Sequence, residues 1–286
     1  VFLAPGNHDY YSAGAPYARL TFPENVHIFR TQRIEVIALP ELGVRVWGAA
    51  FTDSRCPALL RGFSVPKELG LLDVLCMHAE VGNPASAYNP VSAADLAHSG
   101  LDYAAFGHTH RFGGVQRAGG TVYAWPGCME GRGFDETGEK GVLLADVAAG
   151  DVQVQFLPVP GRRYEILRVD VTDADPVQAV CAALPEGAAR NICRIVLTGE
   201  TDRAPNPAAL RAALEGQVFA MQLRDETRAC RDLWARAGEG TLRGQFLAQL
   251  KQKYDAADSD RDRETIVMAA RWGLAALDHD EEVVTL

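Results

Sequence analysis

Short apolar runs, each closing on a polar or glycine-bearing turn, set the rhythm of the first half of this chain. Val1-Phe2-Leu3-Ala4, Val44 to Phe51, Leu71 to Met77, Tyr103 to Phe106 and Thr121 to Trp125 read as buried strands. Gly141 to Val147 and Val152 to Leu157 read as a hairpin joined by Ala148-Ala149-Gly150-Asp151. Ser92 to Ala97 reads as a short helix with Ser92 as its cap. Pro158, Pro160 and Gly161 then interrupt the pattern, and a boundary is expected there, dividing the chain into residues 1–160 and 161–286.

Beyond the boundary the periods change. Tyr164 to Val171 reads as a strand. Asp175-Pro176 opens a helix, with Asp as N-cap and Pro at the first helical position. Ile192 to Leu197 is a second strand, Asn206-Pro207 repeats the capping device before Ala208 to Leu214, and Val218 to Leu223 completes a β-α-β-α-β unit. Three helices follow, over Thr227 to Ala237, Leu242 to Asp255 and Arg263 to Leu277. Leu242, Phe246 and Leu250 stand four apart, an apolar stripe expected to pack onto the local sheet, with a partner-binding face as the alternative.

The chemistry stands where the strands of the first half stop. Gly6-Asn7-His8-Asp9, Met77-His78-Ala79-Glu80 and Gly107-His108-Thr109-His110 each follow an apolar run. In open α/β sheets, sites lie at the ends of such strands. Histidines one residue apart in extended backbone point the same way, so His108 and His110 are expected to face one cluster. Asn7, His78, His108 and His110 offer neutral oxygen and nitrogen ligands of the type that suits Mn²⁺, Fe²⁺ or Zn²⁺. His27, His98 and His279 sit in turns or polar stretches and read as structural. Glu80 is expected beside the site and Asp135-Glu136 in an exposed loop. Arg111 and Arg132 are candidates for touching phosphate, since guanidinium matches its geometry. The glycine-rich stretch from Gly127 to Glu139 lacks the Lys-Ser/Thr of a nucleotide-cradling loop. Tyr10, Tyr11 and Tyr17 either stack on a base or pack the loop that follows the first string.

Composition narrows the partners. At 286 residues and 48% hydrophobic, the chain has enough apolar material for a sizeable core. No apolar stretch approaches the roughly 20 residues that span a bilayer, so no membrane partner is expected. The six cysteines are scattered without a Cys-x-x-Cys and read as reduced thiols of a cytoplasmic protein. A net charge of −9 counts against a stand-alone nucleic-acid binder, although bound dications would reverse the field locally.

The three strings, in that order, resemble the calcineurin-like metallophosphoesterase superfamily. The resemblance implies two divalent metal ions, Mn²⁺ first, gripped by five motifs on strand ends. Asn7, His78 and His108 fall to one ion and His110 to the other. His8 would be the catalytic histidine that is not a ligand, oriented and charge-stabilised by Asp9. The first two motifs, an Asp-x-His and a Gly-Asp carrying a bridging aspartate, do not occur here. With Val at position 1, the chain therefore reads as a fragment that lacks the N-terminal strands, has an incomplete second metal site, and is inactive by itself.

Ala4 to Tyr10, Pro23 to Phe29, Val46 to Phe51 and Glu130 to Glu136 look like the DNA-repair exonuclease branch, closest to YhaO-like proteins, relatives of the SbcD nuclease subunit. That resemblance implies an α/β metallophosphoesterase β-sandwich flanked by helices, followed by a smaller α+β capping domain. It implies DNA as substrate and an SbcC-like coiled-coil ATPase as partner, with a homodimer left open. Two alternatives stand beside it: a metallophosphoesterase acting on nucleotides or other small phosphoesters, and a non-catalytic scaffold that docks an ATPase partner.

Overall fold

The computed structural model describes residues 1–277 apart from 67, 69, 160, 173, 202, 203 and 230–232. Pro160, His279 and one of the six cysteines, Cys230, lie outside the described residues. The chain divides into two compact units. One comprises Val1–Arg132 with Gly138–Gly161; the other comprises Gly133–Thr137 and the chain from Arg162 onward.

In the first unit, β1 (Phe2–Leu3) pairs in parallel with β2 (His27–Ile28), and a single helical turn, α1 (Pro16–Arg19), stands between them in sequence. A mixed six-stranded sheet forms the centre. It is built from β3 (Glu35–Leu39), β4 (Val44–Gly48), β5 (Leu72–His78), β8 (Tyr103–Gly107), β9 (Val115–Ala118) and β10 (Thr121–Ala124), in the order β3-β4-β5-β8-β10-β9. β4, β5, β8 and β10 run parallel, and β3 and β9 close the edges antiparallel. Between β5 and β8 the chain makes the small pair β6 (Glu80–Val81) and β7 (Pro90–Val91) and the helix α2 (Ala93–Ser99). Ser92 caps that helix: its Oγ accepts from Asp95 N–H at 3.1 Å while the Asp95 carboxylate accepts from Ser92 N–H at 3.1 Å. The remaining strands of this unit form a hairpin, β11 (Gly141–Ala148) with β12 (Asp151–Pro158).

A parallel sheet buried on both faces needs near-continuous apolar strands, and this composition supplies them. Leu75, Met77, Leu96, Ala104, Phe106, Tyr123 and Trp125 form one buried cluster. Phe29, Val46 and Ala50 form another, with Phe2, Tyr11 and Cys76 against it. At the start of β5, Asp73 is buried and clamps Arg45 with two bonds of 2.7 and 2.8 Å, while Trp47 Nε1 donates to the same carboxylate at 2.7 Å. His78 closes the other end of β5.

In the second unit, β13 (Tyr164–Asp170), β14 (Ile192–Thr198) and β16 (Ala220–Asp225) form a wholly parallel sheet. It is linked through α3 (Pro176–Ala183) and α4 (Pro207–Leu214), whose N-caps are Asp175 and Asn206. Val169, Cys193, Ile195, Leu197, Leu210 and Leu214 are its core. Phe134, in the 133–137 segment, packs edge-on against Tyr164 at 5.1 Å, and the Arg194 guanidinium lies 4.0 Å from its ring centre.

Two expectations fail in this unit. Among the described residues of 227–237 no α-helix forms, and 230–232 lie outside them. Asp225 Oδ1 accepts from Thr227 N–H at 2.9 Å, and the turn so made leads into β17 (Arg228–Ala229), which pairs with β15 (Glu200–Thr201). A 3₁₀ turn, Ala235–Gly238, follows among the described residues. The stripe on α5 (Leu242–Asp255) does not pack onto the sheet either. Phe246 and Leu250 join a helical cluster with Leu233, Leu247, Ala270 and Leu274, the last two on α6 (Asp260–Leu277), and Leu242 is exposed. Among the described residues no helix is long and apolar enough to cross a membrane, and Cys56, Cys76, Cys128, Cys181 and Cys193 are in no disulfide.

Candidate metal centre

The register of the central sheet sets the site. His78, the last residue of β5, stands opposite Gly107, the last of β8, so His108 follows directly beside it. The loop after β1 brings Asn7 to the same place. His78 Nε2 lies 2.8 Å from Asn7 Oδ1 and 3.2 Å from His108 Nδ1, so three strand ends deliver three donor atoms to one point. Two glycines make the approach possible. A Cβ on Gly6 would sit 2.5 Å from His78 Nδ1, and one on Gly107 would sit 3.0 Å from the same atom. The ring of His78 is flanked by backbone where any side chain would displace it.

His108 departs from the expected extended geometry. Its φ is +103°, outside the extended region, so the alternation that would turn His108 and His110 the same way does not apply. His110 is exposed, and its carbonyl accepts from Cys128 N–H at 3.3 Å and from the Lys140 ammonium at 3.4 Å. Burial, with the nearby His108 adding to it, pushes the His78 imidazole down to about 4. Burial lowers His108 as well, against the opposing pull of Glu80. Both rings are therefore neutral at ordinary pH, with lone pairs to offer rather than charge.

The remaining candidates fall around this point. His8 is exposed on the same loop as Asn7. Asp9 folds back on that loop: Oδ1 accepts from Gly6 N–H at 2.8 Å and Oδ2 from the Tyr17 hydroxyl. Burial, and then that bond, push Tyr17 up to about 12. Tyr17 thus packs the loop, as does Tyr11, whose ring lies under Arg30 at 5.9 Å and whose N–H donates to Phe51 O. Glu80 stands beside the site, Oε2 3.7 Å from His108 Nε2 and Oε1 accepting from Asn83 Nδ2 at 3.1 Å. Bonds from Ser86 and Asn83 hold its carboxyl below the usual range. Arg111 and Arg132 are exposed, and Asp135 is exposed in the 133–137 segment.

The donor set fits a divalent cation in part. Neighbouring ligands on one cation, with metal–nitrogen bonds of ~2.0–2.1 Å, stand about as far apart as these donors do. Imidazole and amide oxygen are ligand types suited to Mn²⁺, Fe²⁺ or Zn²⁺. Among the described residues, no group of three or more His, Cys, Asp and Glu side chains could hold a metal ion, because the third donor here is an amide and no carboxylate bridges the rings.

Three groups at the site carry no motif in the sequence. Phe51 sets its ring edge-on to His78 at 5.2 Å, Tyr88 tilts over His108 at 5.3 Å, and Asn89 is completely buried behind them. The Asn89-Pro90 dipeptide, a turn signal, was the one hint of this loop.

No family model matches the chain. Over 188 residues it is 30% identical to the uncharacterized metallophosphoesterase YhaO of Bacillus subtilis (strain 168). The similarity takes in 63% of this chain and 45% of that protein, so the chain spans about half the length of the curated relative it matches. The mixed α/β architecture, a central multi-strand sheet flanked by helices, is consistent with a metallophosphoesterase fold, and the likeness supports a place in that superfamily.

Proposed function

We propose that this chain carries the metal-dependent catalytic core of a phosphodiesterase acting on DNA, an exonuclease subunit of the repair type. The observation that carries the reading is the meeting of Asn7 Oδ1, His78 Nε2 and His108 Nδ1 at the ends of separate strands. The likeness to a protein named a metallophosphoesterase supports phosphoester hydrolysis; the Ala4–Tyr10 and Glu130–Glu136 strings favour DNA.

In this reading Asn7, His78 and His108 hold a divalent ion, Mn²⁺ first, and His110 serves a second. Bound there, such ions would neutralise charge growing on the phosphoryl oxygens and lower the pKa of water, the usual sources of phosphoryl-transfer catalysis. His8, exposed beside the ligands, gives its proton to the departing oxygen, a role worth roughly 10²–10⁴-fold in rate. Asp9 braces the loop that presents it. Arg111 and Arg132 meet the phosphate backbone. An SbcC-like coiled-coil ATPase would supply the positive surface that a chain of net charge −9 lacks.

The test is hydrolysis with Mn²⁺ of labelled DNA and of bis-p-nitrophenyl phosphate, by the chain with its natural flanking sequence. Release of nucleotides from DNA, abolished by His8→Ala with metal affinity kept, is the expected result. Turnover of the small ester alone would replace the nuclease reading with that of a small-phosphoester hydrolase.

A further inference from the structure

We infer that Asn89 is the positioning residue of this site, holding His78 through its backbone and His108 through the neighbouring Tyr88. The inference rests on the metal-centre reading above and adds to it the device that fixes the two rings. Asn89 is 0% exposed and has φ +52°, one of two non-glycine residues with positive φ among the described residues; the other is His108 itself. Asparagine tolerates that region better than other side chains, and strain of this kind gathers where surrounding structure over-determines a site.

Both ends of the side-chain amide are engaged. Its Nδ2 donates to the carbonyl of His78 at 3.0 Å, and its Oδ1 accepts from Leu59 N–H at 2.9 Å. Its own N–H donates to Cys56 O at 2.8 Å. The amide thus ties the last residue of β5 to the 56–59 segment, whose Cys56 also bridges Tyr88.

One residue earlier, the same backbone presents Tyr88. Glu80 N–H donates to the Tyr88 carbonyl at 3.1 Å, and Tyr88 N–H donates to Ser86 Oγ at 2.9 Å, so the loop is pinned on both sides of the ring. That ring lies tilted by 34° over His108. A surface tyrosine loses little by swinging into water unless its backbone is held; those bonds and the bridge to Cys56 hold this one, and the Asn89 side chain anchors the next residue to Leu59 and to β5. Removing the Asn89 side chain therefore releases the His78 carbonyl directly and loosens the shelf beneath His108 through the adjoining backbone, and takes from two part-buried backbone groups, His78 C=O and Leu59 N–H, the partner they have here.

Asn89→Gly tests this, because glycine accepts the same φ and only the amide is lost. The control is Thr121→Val, another buried polar junction in the same unit, whose hydroxyl bonds Leu96 O at 3.0 Å and Leu101 O at 2.8 Å away from the site. Two readouts apply to the full chain: Mn²⁺ affinity by calorimetry, and nuclear Overhauser contacts between the His78 and His108 rings without metal. Asn89→Gly should weaken Mn²⁺ binding tenfold or more and erase the ring contacts, while Thr121→Val lowers the melting temperature at least as much and changes neither. Ring contacts and affinity unchanged in Asn89→Gly would overturn the inference. Should Asn89→Gly fail to fold, Tyr88→Ser, at a half-exposed position, asks the same of His108 alone. A wild-type chain that takes up no Mn²⁺ would sink the metal reading, and the ring contacts would still decide for or against Asn89.

Discussion

Gly6 shows how little room the site has. A Cβ there would stand 2.5 Å from a ring nitrogen of His78, closer than unbonded atoms approach. Gly6→Ala must push the imidazole aside or shift the loop that carries Asn7, and overpacking of this kind costs about 1–3 kcal/mol. The expected result is a urea midpoint lowered accordingly, with Mn²⁺ affinity lost by more than the stability change explains. Titratable groups beneath the site give a second test. Burial pushes the Cys56 and Cys76 thiols up to about 11 from 9.0. The folded chain holds those protons after the unfolded chain has released them, so their contribution is intact below pH 9 and is lost as pH rises towards 11. Cys76→Ala should therefore lose less stability than the wild type between pH 8.5 and 10.5 in urea titrations; an equal loss would mean the thiol is not shielded. At this scale much was legible: Asn7, His78 and His108 announce themselves as polar residues at the ends of apolar runs. Asn89 did not, because a buried amide in a turn has no sequence signature, and its partners are backbone atoms far along the chain. The left-handed φ of His108 was equally hidden, since only tertiary contacts enforce it.

Strand β5 carries His78 at one end and, with its neighbour β4, a buried ion pair at the other. Arg45 and Asp73 are both nearly inaccessible, with side-chain exposures of 10% and 7%. Breaking a buried pair from one side costs about 3–5 kcal/mol, and loss of the Asp73 charge leaves the Arg45 guanidinium to the exposed Glu68, 2.7 Å away. Asp73→Asn should therefore destabilise strongly, whereas replacing both partners by apolar residues (Arg45→Met with Asp73→Leu) should recover most of that loss; a double variant as unstable as the single one would show the pair to be favourable in itself. Helix caps were the elements best marked in the sequence. Asp175-Pro176, Asn206-Pro207 and Ser92 each begin a helix, since a side-chain oxygen followed by a residue with a fixed or helical φ leaves the chain few alternatives. Asn206→Ala should cost roughly 1 kcal/mol, read as a lower urea midpoint. The stretch after Asp225 misled because an Asp two residues before an N–H closes a turn instead of capping a helix, and the strand it leads to is only two residues long. The α5 stripe misled differently: periodicity identifies an apolar face but not what lies opposite, and α6 lies there.

For the whole molecule, the chain forms two units with separate cores, and the allotment of residues 133–137 to the second unit had no local signal. That segment is held by the Phe134 ring against Tyr164 and Arg194, a contact between positions remote in sequence. The charge of −9 sets a further expectation. Duplex DNA should bind the chain weakly, with affinity raised by added Mn²⁺ and falling with salt; tight binding in the presence of a chelator, by gel shift, would place DNA on some other surface. Most directly, the meeting of Asn7, His78 and His108 as a cation site is tested by titrating Mn²⁺ into the wild-type chain and His78→Ala in a calorimeter. Saturable uptake by the wild type that disappears in His78→Ala is expected. Equal uptake by both, or none by either, would contradict it.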